Sequence, residues 1–241
     1  MSTANKDEIE KFSKLADEWW YINGKFKPLH MFNPIRIEYI LDITKTYFKI
    51  DKNKNSPLKN LKILDIGCGG GLISEPMSRL GADITAIDAS SKNINIAKAH
   101  AKTNNLNINY LNDIPENLKL ENKFDIILNL EVVEHVENLE LYLKSCFELL
   151  KPKGIMFTAT LNRTLTSYVK AIIGAEYILR WLPVGTHDWN KFIKPEELEK
   201  RITDLKFSII ASTGLSFNPI FQEWKKTKDL SVNYILVAQK N

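Results

Sequence analysis

Residues 63–71 read Ile63-Leu64-Asp65-Ile66-Gly67-Cys68-Gly69-Gly70-Gly71, and the next apolar run, Ile84 to Ile87, ends on Asp88. Ile63, Leu64 and Ile66 form a short buried strand. The glycines after them let the backbone turn sharply and let a ligand approach where a Cβ would clash. Leu72 to Leu80 reads as helix, so the loop lies where a strand feeds a helix, at the carboxyl edge of a parallel sheet. Asp88 ends the second strand and offers a carboxylate to the hydroxyls of a ribose. Together the two features predict an α/β enzyme that uses a nucleotide cofactor.

The loop also says which cofactor. A dinucleotide fingerprint is G-x-G-x-x-G, whose third glycine packs the helix on the strand. Leu72 occupies that place here, and Asp65 stands two residues before the first glycine. A carboxylate there suits an amine-bearing ligand better than a pyrophosphate. Both departures favour S-adenosylmethionine, which has a ribose and an amino-acid end but no phosphate. They weigh equally against a nicotinamide oxidoreductase, the rival enzyme class.

Outward from the loop, strands are predicted at 61–66, 83–88, 107–111, 124–130 and 153–161, with helices at about 72–80, 90–103 and 138–150. That alternation requires parallel strands and right-handed crossovers. Upstream, Ile9, Phe12, Leu15, Ala16 and Trp19 recur at helical spacing over 7–20. Asn33-Pro34 reads as an N-cap with proline at the first helical position, opening a helix to about Phe48. Downstream, an insertion at 162–193 leads to a helix opened by Pro195. The runs 206–212 and 232–239 are predicted to close a seven-stranded, mostly parallel sheet with one antiparallel strand. The expected layout is one domain over 1–241: a helical cap at 1–60, a cofactor-binding core at 61–161, an insertion at 162–193, and a closing helix and hairpin at 194–241.

Composition bounds the rest. At 241 residues and 44% hydrophobic, the chain can bury one large core. A net charge of +4 with interspersed signs is no nucleic-acid footprint, and no Asp-Pro-Pro-Tyr-like base-binding motif occurs. Cys68 and Cys146 form no metal or disulfide pattern, which suits a reducing compartment. The first ten residues lack an apolar leader core, and no apolar run approaches the ~20 residues that span a bilayer.

With the glycine loop and Asp88, the segments Asn129-Leu130-Glu131-Val132-Val133-Glu134-His135-Val136 and Leu150-Lys151-Pro152-Lys153-Gly154 resemble the class I S-adenosylmethionine-dependent methyltransferases. Others, among them Phe26-Lys27-Pro28-Leu29-His30, Asn33-Pro34-Ile35-Arg36, Thr160-Leu161-Asn162-Arg163, Gly185-Thr186-His187-Asp188, Lys191-Phe192-Ile193-Lys194-Pro195 and Asn218-Pro219-Ile220, are similar to the O-methyltransferase family of ubiquinone biosynthesis. Lys153, where that family commonly has glycine, departs from the pattern in a solvent-facing turn. The resemblance implies a Rossmann-like fold and methylation of catechol-type hydroxyls on polyprenylated rings, at both O-methylation steps. It implies S-adenosylmethionine as donor and S-adenosylhomocysteine as product, with Arg36, Gly67, Gly69, Asp88 and Leu130 at the cofactor and Arg36 on its carboxylate. Because a polyprenyl tail is insoluble, the expected partners are the lipid surface and other enzymes of the route, at the inner, cytoplasmic face of the membrane.

A catechol hydroxyl must lose its proton, which calls for a base or a metal. Glu131, Glu134 and His135 form the dense polar cluster beside the end of a core strand. On a helical turn they would share a face. The expected catalytic set is therefore His135 as base, oriented by a glutamate. The plainer alternative is a turn that caps a helix, with His135 bonded to backbone. Magnesium held by the same three side chains is the rival, disfavoured because histidine is a poor magnesium ligand. His187 and Asp188 are further candidates for reaching the substrate; His30 and His100 read as structural. Residues 167–182, from Ser167 to Leu182, make a helix with a narrow polar stripe, either a lid on the core or a face turned to lipid.

Overall fold

The computed structural model describes residues 3–51, 54–118, 121, 123–169, 188–219 and 221–241. The core alternates as its periodicity requires: β1 (Lys62–Ile66), α3 (Ser74–Arg79), β2 (Asp83–Asp88), α4 (Ser91–Thr103), β3 (Asn109–Asn112), β4 (Phe124–Leu130), α5 (Leu139–Leu149) and β5 (Leu150–Leu161). Before it stand α1 (Lys6–Leu15) and α2 (Lys27–Tyr47). After it come the single turn α6 (Leu165–Ser167), α7 (Pro195–Asp204), β6 (Phe207–Asn218), β7 (Glu223–Thr227) and β8 (Asn233–Lys240).

The sheet has eight strands in the order β3-β2-β1-β4-β5-β8-β6-β7. The first five in that row run parallel, and β8 then pairs antiparallel with both β5 and β6. The expected count of seven is one short. The additional strand, β7, pairs antiparallel with β6 at the sheet edge, in what reads from sequence as a long loop.

Two apolar layers enclose the sheet, because alternate strand residues face opposite sides. Ile63, Ile126 and Phe157 pack with Ile40 of α2, Met77 of α3 and Ile94 of α4. Leu64, Ile127 and Met156 pack with Leu143 of α5 and Leu198 and Ile202 of α7. The switch from β1–β2 to β1–β4 puts the glycine loop at a crevice beyond the carboxyl strand ends, where open α/β sheets take ligands.

Two expectations about helices need correction. The second helix does not open at Asn33-Pro34: α2 starts at Lys27, with Pro28 in the favoured first turn and Pro34 inside the helix. Arg36 is therefore mid-helix and buried. The first helix ends at Leu15 and continues as a 3₁₀ turn, Ala16–Glu18. The helix expected over 167–182 lies outside the described residues beyond Val169, and His187 lies outside them too. Among the described residues, no helix is long and apolar enough to cross a membrane.

Candidate active site

Gly67 and Gly69 both sit at positive φ, +69° and +54°, as the turn from β1 to α3 demands. The loop is pinned from below, where Gly67 N–H and Cys68 N–H donate to the Ile87 carbonyl at 2.8 and 3.0 Å. From the side, Asp88 Oδ2 accepts the Gly69 N–H at 2.9 Å, while Oδ1 accepts from Ser90 N–H at 2.8 Å and Asn93 Nδ2 at 3.2 Å. Burial raises the Asp88 pKa, and these three donors oppose the rise. Three of its roughly four acceptor sites are taken, so Asp88 has about one left for a ligand hydroxyl while it clamps the loop.

Arg36 reaches the same crevice from α2. Its Nη2 donates to Asn33 Oδ1, its Nη1 lies 3.4 Å from Glu131 Oε1, and its guanidinium covers the Phe32 ring at 4.4 Å. Burial lowers its pKa, with Glu131, Asp65 and Glu134 pulling the other way. The Nε–H is buried with no hydrogen-bond partner, a donor suited to an incoming carboxylate. Asp65, buried at the end of β1, is pushed up to about 7 by burial against the opposing Ser74 hydroxyl at 2.5 Å and the Arg36 charge. These groups fit a ligand with a ribose at one end and an amino acid at the other.

Beyond β4 the chain turns sharply. Glu131 has φ +59°, a left-handed conformation that a non-glycine residue rarely adopts, and His135 N–H donates to the Val132 carbonyl at 2.9 Å. This is a turn, not a helix; α5 begins later, capped by Asn138. The three polar side chains therefore diverge. Glu131 faces Arg36. Glu134 is buried with Oε2 unpartnered, its pKa pushed up to about 7 first by burial and then by Glu131. His135 Nδ1 lies 3.2 Å from Glu8 Oε2, so the glutamate facing it comes from α1. Among the described residues, no group of three or more His, Cys, Asp or Glu side chains is arranged to hold a metal ion. The cluster as it stands does not fit magnesium.

The N-terminal segment roofs the glycine loop, a feature that sequence reading missed. Trp19 stacks on Phe26 with centroids 3.7 Å apart and donates Nε1–H to Asn93 Oδ1 at 2.9 Å. Trp20 donates to the Gly70 carbonyl at 3.0 Å and stacks on His100, which also meets Glu75 at 2.6 Å. His30 meets the Trp19 carbonyl at 2.9 Å, so both histidines serve packing. Trp19 reads from sequence as an ordinary member of the apolar stripe of the first helix, Trp20 lies off that stripe, and only their indole N–H groups gave any cue. Asp188 caps a 3₁₀ turn through Asn190 N–H at 3.0 Å.

One cavity of about 640 Å³ joins these parts. Gly67, Gly69, Asp88, Arg36, Leu130 and the 131–135 turn line one end, and Phe217, Trp224 and Val169 line it elsewhere. Trp224 is the residue of edge strand β7 that packs inward, against Phe32 at 4.1 Å. Outside, Leu165, Tyr168, Val169 and Phe221 are exposed large apolar side chains.

The chain matches the model of a methyltransferase domain over residues 11–212. It is 58% identical over 241 residues to the ubiquinone biosynthesis O-methyltransferase of Pelagibacter ubique, covering 100% of both chains. The enzyme of the same name from Bartonella tribocorum is 50% identical over 241 residues, covering 100% of this chain and 98% of that one. The crystal structure of a magnesium protoporphyrin IX methyltransferase from Synechocystis PCC 6803 with bound SAH shares the fold, at TM-score 0.69 and 20% identity, over 98% of this chain and 100% of that one.

Proposed function

The chain belongs to the ubiquinone biosynthesis O-methyltransferases, and from that premise we propose that it methylates catechol-type hydroxyls of polyprenylated rings at both O-methylation steps of that synthesis. The observation that carries this reading is one cavity in which the glycine loop, Asp88 and Arg36, groups suited to a ribose and an amino acid, and a histidine meet before an apolar wall.

S-adenosylmethionine, when bound, supplies the methyl group on a cationic sulfur. Asp88 accepts a ribose hydroxyl, and Gly67 and Gly69 admit the ligand backbone-close. Arg36 meets the carboxylate with its free Nε–H, Asp65 attracts the amine, and Leu130 packs against the ligand. Since a neutral thioether leaves, no acid is needed there. His135 takes the hydroxyl proton, and the cavity walls hold the oxygen in line with the methyl group, a positioning effect that supplies much of the rate. Glu131 and Glu134 set the field around His135.

The exposed Leu165, Tyr168, Val169 and Phe221 support peripheral contact with lipid, where an insoluble polyprenyl tail resides. On this reading the chain works as one domain at the inner face of the membrane, beside other enzymes of the route. The test is purified protein with labelled S-adenosylmethionine and a prenylated catechol, with and without EDTA. Labelled methyl ether forming in both arms supports the mechanism as written. No transfer in either arm overturns it, and loss in the EDTA arm alone, restored by magnesium, replaces His135 with a metal-held hydroxyl.

A further inference from the structure

Glu8 and His135 belong to elements far apart in the chain, yet two of their buried atoms face each other across 3.2 Å, Glu8 Oε2 and His135 Nδ1. Both atoms are buried and neither makes a hydrogen bond elsewhere or, in the orientation shown, to the other. The remaining Glu8 oxygen, Oε1, accepts from Lys191 Nζ at 3.0 Å, and Lys11 Nζ stands 4.0 Å from Oε2. One helical turn beyond Glu8, Phe12 sets its ring edge-on to the imidazole at 5.3 Å and 83°. Positions 8 and 12 share a face of α1, so one helix face holds the ring both by charge and by shape. Asn5 fixes that face by capping α1, its Oδ1 accepting from Asp7 and Glu8 N–H at 3.0 and 3.1 Å.

We propose that Glu8 is the positioning residue of the catalytic histidine: it accepts the Nδ1 proton of His135, fixes the tautomer, and leaves Nε2 free to take the acceptor's proton. The proposal rests on the reading of His135 as base. A carboxylate on one imidazole nitrogen sets which nitrogen carries the proton and steadies the imidazolium that forms. In the step, the acceptor O–H breaks and its proton joins Nε2. The electron pair left on oxygen forms the O–CH3 bond while the S–CH3 pair stays on sulfur, and the histidine later loses its proton to water. Burial lowers the His135 pKa, and Glu8, Glu134 and Glu131 together bring it above the ordinary value, while Lys191 and Lys11 compensate Glu8. The carboxylate of Glu8 is held down to about 2, chiefly by its interaction with His135, so it is ionised wherever the enzyme works.

The test is a double-mutant cycle on turnover with a soluble prenylated catechol, read beside nitrogen-15 histidine spectra. Glu8→Ala should lower kcat roughly 10- to 100-fold, the loss expected of a displaced base, with KM and S-adenosylhomocysteine affinity within about 2-fold. In a His135→Ala background, Glu8→Ala should change kcat less than 2-fold, because it has no imidazole left to orient. A purely structural Glu8 would cost the same in both backgrounds, and that result overturns the proposal. The spectra should show His135 protonated at Nδ1 in the wild type and a tautomer mixture in Glu8→Ala, with His135→Asn assigning the resonance. If Glu8→Ala does not fold, the wild-type spectrum decides alone, since a proton on Nε2 overturns the proposal. Near wild-type turnover in His135→Ala overturns the base assignment and the proposal with it. An inactive His135→Ala beside a fully active Glu8→Ala overturns the proposal alone.

Discussion

Gly69→Ala makes a quantitative test of how the N-terminal segment closes over the glycine loop. A Cβ at Gly69 runs into the benzo edge of Trp19, and the backbone there is at φ +54°. The left-handed conformation costs an alanine about 1–2 kcal/mol. If Trp19 yields, it gives up the Asn93 hydrogen bond, about 0.5–1.5 kcal/mol, and its stacking on Phe26, another 0.5–1.5 or so. The total is about 2–5 kcal/mol, a large share of a typical domain's stability. Trp19→Ala removes the obstacle but not the strain, so in that background Gly69→Ala should cost only about 1–2 kcal/mol. Urea denaturation of the four proteins, wild type, both single variants and the double, measures both values. Equal costs of Gly69→Ala in the two backgrounds, within about 0.5 kcal/mol, would show that Trp19 is not what the loop presses against.

Asp88→Ala and Arg36→Ala should each weaken S-adenosylmethionine binding by on the order of 1–3 kcal/mol, as read by calorimetry; Asp88→Ala should also lower Tm, because it frees the Gly69 and Ser90 N–H groups. His135→Asn should cut kcat by about 10²- to 10⁴-fold with cofactor affinity unchanged, and turnover near wild type would make His135 structural. Glu134 carries a burial-raised pKa of about 7, so the folded state binds more protons than the unfolded one between about pH 4.5 and 7, and stability falls as pH rises through that window. Glu134→Gln should therefore stabilise the protein at pH 8 by on the order of 1–3 kcal/mol, with the gain vanishing below about pH 4.5; an equal gain at every pH refutes the linkage. Leu165→Glu with Phe221→Glu, at positions 77% and 70% exposed, should reduce pelleting with anionic liposomes without lowering Tm, and undiminished pelleting excludes this patch as the lipid contact.

The parallel core was legible because its strands and helices carry uninterrupted local signals: 83–88 and 124–130 have the bounds that periodicity predicts. The eighth strand was not. Glu223-Trp224-Lys225-Lys226-Thr227 has only Trp224 to bury, so an edge strand of this kind shows no alternation. Asn33-Pro34 misled for the opposite reason, being a strong start signal that stands inside a helix whose first turn already holds Pro28. Around the cavity, Gly67 and Asp88 stand where type and spacing put them, after β1 and at the end of β2, whereas the 131–135 cluster, expected on a helical turn, lies on a tight turn instead. Glu8, Trp19 and Asn93 gave no such sign, since each is an ordinary residue until the fold brings it to a distant partner.

The N-terminal segment ties the glycine loop to the 131–135 turn. Asn93 donates to Asp88 and accepts from Trp19, and Ser13 meets the α4 cap Ser90 at 2.6 Å. The same helix that presents Ser13 also presents Glu8 to His135. One N-terminal segment therefore touches Asn93, the support of Asp88, at one end and the imidazole at the other, so whatever steadies its contact with Asn93 also steadies Glu8. A cofactor that tightens with α1 docked at the glycine loop therefore also favours an oriented His135, whereas loss of the imidazole contact alone leaves the contacts at the loop end, and with them the cofactor affinity, in place. Trp19→Ala should accordingly lower cofactor affinity and kcat together, whereas Asn5→Ala, which uncaps α1 away from the glycine loop, should act mainly on kcat. Hydrogen exchange of the α1 amides, slowed by S-adenosylhomocysteine in the wild type and unaffected by it in Trp19→Ala, is the measurement that connects the two. Equal slowing in both proteins would mean that the two ends of the segment act independently.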